Sequence, residues 1–207
     1  MPYRQGYRAT SYDYGMSDDV TNAKRALRAE LRERRRTMTT PERDKVNLAV
    51  TSNLIELTTR LGVSSIAAYL STNDEPSTRE FLHWACDTNI RVLLPISRED
   101  GLLDWALYDG KDEDEDVFGM PTPTTEVLGP IAINGVDLIL VPAATVDRTG
   151  MRMGWGRGYF DKTLGSMERC PPVYAVIFDS ELVDSVPSEV HDQRVNGVVA
   201  PGGITTF

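Results

Sequence analysis

The chain has 207 residues, 41% hydrophobic and 26% charged, with 31 Asp/Glu against 22 Lys/Arg for a net charge of −9. That is an ordinary globular composition with room for one sizeable core, and its acidic balance argues against broad binding to nucleic acid or anionic membranes, which needs positive surface. No apolar run approaches the roughly 18 residues that span a bilayer, the opening MPYRQGYRAT has no apolar signal core, and Cys86 and Cys170 fit no metal or redox spacing, so the expectation is a cytoplasmic monomer with neither membrane nor nucleic-acid partners.

Residues 1–20, rich in Tyr, Gly, Ser and Asp, have no apolar period and read as a disordered extension, with a single domain over 21–207. The charge is uneven. Residues 1–36 hold nine Lys/Arg against five Asp/Glu, a net +4, which leaves −13 on the rest. Strong helix formers from Ala23 to Arg36 predict a helix whose buried stripe is only Leu27 and Leu31, spaced i, i+4. Thr39 with Glu42 makes a capping box, and Pro41 suits a first turn, so a second helix is expected to run to Leu61 and stop at Gly62.

Short apolar runs follow. SIAAYL (65–70) reads as a buried strand before a polar loop, STNDEPS, and Ser77 with Glu80 forms another capping box opening a helix through FLHWACDT. RVLLPI (91–96) is the next strand and LDWALY (103–108) a more exposed one, whereas KDEDEDVFGMPTPT, with the acidic run Asp112–Asp116, reads as a loop without period. VDLILVPA (136–143) is the most strand-like window; Tyr159–Met167 reads as a helix, VYAVIF (173–178) as a strand, and a last short strand lies near VNGVVA (195–200). Apolar strands alternating with helices indicate an α/β domain with a mostly parallel sheet.

The strongest local signal is DLILVPAATVDRTGMRMGWGRGYFD (137–161): a buried strand, a loop with Gly150, Gly154, Gly156 and Gly158, then a helix. Ligands bind at the carboxyl ends of parallel strands, glycines let backbone N–H groups approach phosphate oxygens, and a helix N-terminus adds partial positive charge. Arg148, Arg152 and Arg157 add three cations, so the loop is a candidate anion site. The chain has no Gly-Lys-Ser/Thr triplet, which excludes a Walker A loop, and Asp161 stands where a dinucleotide fingerprint has its last glycine. Glycine content alone leaves open a turn-rich loop with solvated arginines.

The run Gly150-Met151-Arg152-Met153-Gly154-Trp155-Gly156-Arg157-Gly158-Tyr159-Phe160-Asp161 resembles the signature of the 5-formyltetrahydrofolate cyclo-ligase (methenyltetrahydrofolate synthetase) family. Lys24 and Arg28 resemble the Lys-x-x-x-Arg of its first helix, and Arg35 continues that basic pattern. Leu70 to Thr78 looks like its strand-to-loop segment with a substrate-contacting glutamate, Phe118-Gly119-Met120-Pro121-Thr122-Pro123 its aromatic-Gly stretch, and Val186-Pro187 with His191-Asp192 its closing motif. Three departures stand out: Phe160 where Tyr is common, Met151 and Met153 flanking Arg152, and Thr122 where Glu or Gln is common.

The resemblance implies a three-layer α/β sandwich with a Rossmann-like central sheet. It also implies ATP- and Mg²⁺-dependent conversion of 5-formyltetrahydrofolate to 5,10-methenyltetrahydrofolate, releasing ADP and phosphate. By the same resemblance Lys24, Arg28 and the run Arg152, Met153, Gly154, Trp155, Gly156, Arg157, Gly158, Tyr159, Phe160 would hold ATP, with Arg157 and Arg152 stabilising charge on the transferred phosphoryl. Asp161 and Asp192 would hold Mg²⁺, and Leu70, Glu75, Phe118 and Trp155 would contact the folate. On residue type alone, Lys24 and Arg28 also suit a solvated helix face, Asp161 a helix cap, and Phe118 and Trp155 the core. A different enzyme class on a similar scaffold, or an RNA-binding relative using the arginine-rich helix, are the competing readings.

Overall fold

A computed structural model describes residues 12–111 and 113–207. Helix α1, Tyr12–Arg36, starts well before the expected Ala23. Residues 12–36 contain no proline, and each residue added to a formed helix gains a backbone hydrogen bond, so the helix propagates past the segment that composition marks off. Residues 1–11 of the expected extension, and Asp112 of the acidic run, lie outside the described residues. Leu27 and Leu31 pack against Ala144, Met153 and Val186, so the narrow leucine stripe seats α1 on the glycine-bearing segment.

Helix α2, Thr40–Leu61, has the expected ends: the Glu42 carboxylate accepts from the Thr39 N–H (2.8 Å) and hydroxyl (2.6 Å), and Gly62 closes it. Strand β1, Ser65–Ala67, is shorter than SIAAYL, because Ala68–Leu70 leave the sheet, still buried, to begin the loop. Helix α3, Arg79–Asp87, is capped by Thr78 rather than Ser77. The Thr78 hydroxyl donates to the Tyr69 carbonyl (2.7 Å) and accepts from Ser71 N–H (3.2 Å), tying the helix start to the end of β1.

Strand β2, Arg91–Ser97, pairs with β3, Leu103–Leu107, an edge strand that is more buried than its sequence suggests. A 3-10 turn, Pro130–Gly135, packs against it, and Trp105 is wholly buried. The acidic, proline-bearing stretch forms a hairpin rather than a loop, β4 (Glu113–Glu115) against β5 (Pro121–Pro123). Asp116 makes the turn by accepting the N–H groups of Phe118 (2.9 Å) and Met120 (3.0 Å), an Asx-type contact invisible to hydrophobic periodicity. Next come β6 (Leu138–Pro142), β7 (Thr145–Asp147), β8 (Arg152–Met153), α4 (Tyr159–Ser166), β9 (Val173–Val176) and β10 (Leu182–Val183). The chain closes with β11 (Gly197–Ala200) and β12 (Gly203–Thr206), the latter too polar to show as a strand in sequence.

Seven strands form one sheet in the order β12-β11-β9-β6-β1-β2-β3; the inner five are parallel and both edges antiparallel. Successive residues of each inner strand face opposite sides. Ile66, Val92, Leu138, Leu140 and Val176 pack with α2 and α3, while Ala67, Leu93, Ile139, Val141 and Ala175 pack with the 3-10 turn and α4. The architecture is the expected three-layer α/β sandwich around a mostly parallel sheet. Among the described residues no helix is long and apolar enough to cross a membrane.

Candidate active site

Pro142 at the end of β6, Leu70 beyond β1, and Pro95 and Ser97 of β2 line a cavity of about 350 Å³. From β1 the chain moves to β2 on one side and later to β6 on the other. That divergence at the carboxyl edge is where open parallel sheets bind ligands. The remaining walls come from Arg32 and Arg35 of α1, Glu75 of the loop after β1, Met120 and Pro121 of the hairpin, and Arg152, Trp155 and residues 157–161. A small organic molecule fits such a volume.

Of the residues singled out in sequence, Leu70, Glu75, Arg152, Trp155, Arg157, Gly158, Tyr159, Phe160 and Asp161 line this cavity. Lys24, Arg28, Met153, Gly154, Gly156, Phe118 and Asp192 do not; they stand beside it. Arg28 Nε donates to the Gly154 carbonyl at 2.8 Å. A Cβ on Gly156 would lie 3.4 Å from the Arg28 guanidinium carbon, an ordinary contact, and it is the φ of +105° that calls for glycine there. Gly150 serves the fold instead: a Cβ there would meet the Val195 carbonyl at 2.5 Å. Of the two cations one helical turn apart on α1, Arg28 thus reaches the glycine-bearing segment, whereas Lys24 reaches the loop that carries Glu189 and Asp192, each across more than a hundred residues of chain.

Lys24 Nζ donates at 2.7 Å to both Glu189 Oε2 and Asp192 Oδ2. Burial pushes the ammonium pKa down, but the hydrogen bonds and charges of Asp192 and Glu189 lift it above its ordinary value. Arg28 is held below its ordinary value, first by burial and then by the Arg32 charge, against the pull of Asp192, Glu189 and Asp161. Arg152 is buried and donates from Nη2 to Asp161 Oδ1 at 2.6 Å; that oxygen also accepts the Gln193 N–H at 3.1 Å. Asp161 therefore lies in the first turn of α4, tied to Arg152, and is not the helix cap, a place taken by Gly158. Asp192, Glu189 and His191 offer ligand atoms within 4.8 Å of one another, and Asp161 stands outside that group.

Glu75 is buried and accepts through Oε2 from the Thr72 N–H (2.9 Å) and hydroxyl (3.1 Å). Burial pushes its carboxyl up, against the Thr72 N–H, the Arg35 charge, the Thr72 hydroxyl and the Trp155 indole. The indole acts from beyond strict hydrogen-bond geometry, for Trp155 Nε1 has no partner within bonding distance and angle. The Trp155 ring carries the Arg32 and Arg35 guanidinium carbons at 5.2 and 4.6 Å from its centroid. Phe118 lies one step behind the wall, its ring 4.0 Å from the Arg157 guanidinium carbon and 6.2 Å from the Tyr159 ring, both of which face the cavity.

Sequence reasoning missed Arg32 as a wall residue, Tyr69 in the floor, Glu189 as a partner of Lys24, and the fastening of Arg35. The signal for the arginines was present: Lys24, Arg28, Arg32 and Arg35 follow the i, i+4, i+8, i+11 rhythm of one helix face. Tyr69 and Glu189 gave no signal beyond adjacency to Leu70 and nearness to Asp192.

The sequence model of the 5-formyltetrahydrofolate cyclo-ligase family matches residues 20–201. A 5-formyltetrahydrofolate cyclo-ligase of Mycolicibacterium smegmatis is 35% identical over 142 residues, covering 66% of this chain and 73% of that protein. The protein of that name in Mus musculus is 26% identical, covering 87% and 94%. Among solved structures, the 5,10-methenyltetrahydrofolate synthetase of Aquifex aeolicus has a TM-score of 0.74 at 22% identity, covering 88% of this chain and 92% of the other. That of Mycoplasma pneumoniae has 0.68 at 20%, covering 85% and 97%; at these identities the likeness is one of fold.

Proposed function

The chain belongs to the 5-formyltetrahydrofolate cyclo-ligase family, and we propose from that premise how its own residues carry out the ATP-dependent closure of 5-formyltetrahydrofolate to 5,10-methenyltetrahydrofolate, with residues 21–207 acting as one domain. A formamide carbonyl is a poor electrophile and its oxygen a poor leaving group. Transfer of the γ-phosphoryl of ATP to that oxygen gives an imino-phosphate. N10 then attacks the formyl carbon and loses its proton, the C–O bond breaks, and phosphate departs. Such transfer depends on positioning and charge stabilisation.

The observation that carries this reading is the meeting of Arg28 with Gly154 and Gly156 beside a cavity that also holds Glu75. Cations and backbone amides for a triphosphate thus adjoin an acceptor for a heterocycle. Lys24, Arg28 and residues 152–160 bind ATP, and Arg157 and Arg152 offset charge on the moving phosphoryl. Leu70 and Trp155 flank the pterin, and Glu75 accepts its N–H groups. Phe118 acts through Arg157, whose guanidinium rests on its ring.

The carboxylate side suits a hard divalent cation. Among the described residues Asp161 Oδ2 has no hydrogen bond and Asp192 Oδ1 only a distant His191 at 3.8 Å, so each keeps an oxygen for a metal. Mg²⁺ held by Asp161 and Asp192 would neutralise phosphate charge. Purified protein given 5-formyltetrahydrofolate, ATP and Mg²⁺ should build the ultraviolet absorbance of the methenyl product and release one ADP per product. Folded protein that produces neither overturns the reading.

A further inference from the structure

Three polar atoms buried at the cavity make no hydrogen bond among the described residues: Tyr69 Oη, Trp155 Nε1 and Arg152 Nε. Buried polar groups are nearly always paired, so several unpaired ones on residues lining one cavity call for an explanation. The last two belong to the segment already assigned. Tyr69 does not, and it is 5% exposed.

The backbone beneath Tyr69 is fixed. Its carbonyl accepts the Thr78 hydroxyl at 2.7 Å, and that hydroxyl also accepts the Ser71 N–H at 3.2 Å, so the phenol leaves a locked turn rather than a mobile loop. Burial, and after it the Glu75 charge, push the phenol well above its ordinary pKa, so the hydroxyl keeps its proton and remains a donor. Glu75, on the same cavity, is an acceptor whose Thr72 bonds both end on Oε2. A donor and an acceptor that line one cavity, close enough for the Glu75 charge to act on the phenol, suit the edge of a cyclic amide, where a carbonyl stands next to an N–H.

We propose that Tyr69 is a specificity-determining residue of the folate site, donating its hydroxyl proton to the ring carbonyl of the pterin while Glu75 accepts from the neighbouring N–H. The inference rests on the folate reading above and adds to it a contact with one atom. A site built to hydrogen-bond a carbonyl discriminates strongly against an analogue that lacks it. Replacing the carbonyl by an amino group sets donor against donor.

The test compares the wild-type enzyme with Tyr69→Phe, using 5-formyltetrahydrofolate as substrate and its 4-amino-4-deoxy analogue as competitive inhibitor. The variant is expected to raise the folate KM about tenfold, the effect of one lost hydrogen bond, with a smaller change in kcat and an unchanged ATP KM. The preference for the 4-oxo over the 4-amino ring should shrink by a similar factor. The melting temperature should stay level or rise, since the lost hydroxyl has no partner among the described residues. An unchanged folate KM and ring preference overturn the proposal, as does a lowered melting temperature with normal kinetics, which would make the hydroxyl structural. Wild-type protein that neither binds nor converts the folate sinks the folate reading itself, and this inference with it.

Discussion

At the carboxyl-terminal end of α1, Arg35 is 1% exposed, and all three guanidinium nitrogens donate. Nε and Nη2 fork onto Glu181 at 2.7 and 2.8 Å, Nη2 also reaches the Ala143 carbonyl at 2.8 Å, and Nη1 reaches the Asp74 backbone carbonyl at 3.4 Å. Trp155 and Phe178 flank the guanidinium. On the same helix, Lys24 meets two carboxylates of one loop, and the Glu189 side chain is 30% exposed. Arg28 holds a carbonyl, and Arg32 lies over the face of Trp155. The cations share a rhythm but differ in partners. Arg35 faces a glutamate that is itself immobilised, since Glu181 also accepts the Phe178 N–H at 2.9 Å. Lys24, also buried, instead shares its charge with two carboxylates, one of which is partly open to water. In the proposed reading one end of the helix fastens it and the other binds ATP.

The largest expected effect breaks the fastening. Glu181→Ala leaves the Arg35 charge buried without its partner, which costs about 3–5 kcal/mol, read as a lowered denaturant midpoint. The double variant Arg35→Met with Glu181→Leu should recover most of that loss, because apolar groups of similar volume remove the uncompensated charge. A loss below about 1 kcal/mol in Glu181→Ala, the value of an exposed pair, would show that the Arg35–Glu181 pair does not fasten the helix.

The second effect works from the other end. Lys24→Met should raise the ATP KM at least about tenfold, or about 1.4 kcal/mol, with little change in the folate KM. Its stability loss should be smaller than that of Glu181→Ala, because Glu189 is free to turn towards water. Should ATP KM hold steady while stability falls as far as in Glu181→Ala, Lys24 is a fastening too, and the contrast between the ends disappears.

That contrast was only half legible in the sequence. Both ends of α2 were readable because Thr39, Glu42 and Gly62 act within a few residues of themselves. The inner strands were readable because burial on both faces leaves continuous apolar runs. The β4–β5 hairpin was hidden because its turn rests on Asp116 accepting backbone N–H groups, and no residue of β4 is buried. Glycine spacing and family resemblance drew attention to residues 150–161, but the fates of Lys24 and Arg35 depend on Glu189 and Glu181, far along the chain. Periodicity places a cation on a helix face; it does not say what that face meets.

The smallest expected effect sets the two buried glutamates against each other. Glu181 is closed by Arg35, whereas Glu75 accepts from Thr72 and has a carboxyl that burial pushes upward. A raised folded-state pKa means that the folded chain holds the proton more tightly than the unfolded chain. The stabilisation is then fully present below the ordinary glutamate value of about 4.3 and is lost as pH rises through the folded value. Above that ordinary value the Glu75 carboxyl therefore contributes less to the ligand-free fold. Glu75→Gln keeps the shape and one acceptor but never ionises, so it should raise the melting temperature at pH 7 by about 1–2 °C, as a fraction of a kcal/mol does in a chain this long. The gain should shrink to nothing as pH falls towards about 4, where wild-type Glu75 is protonated as well. Folate KM should rise in the same variant, because an amide binds the pterin N–H groups less strongly than a carboxylate. Higher stability with weaker substrate binding would mark Glu75 as a group kept for its ligand; lower stability at pH 7 would make it a second fastening like Glu181.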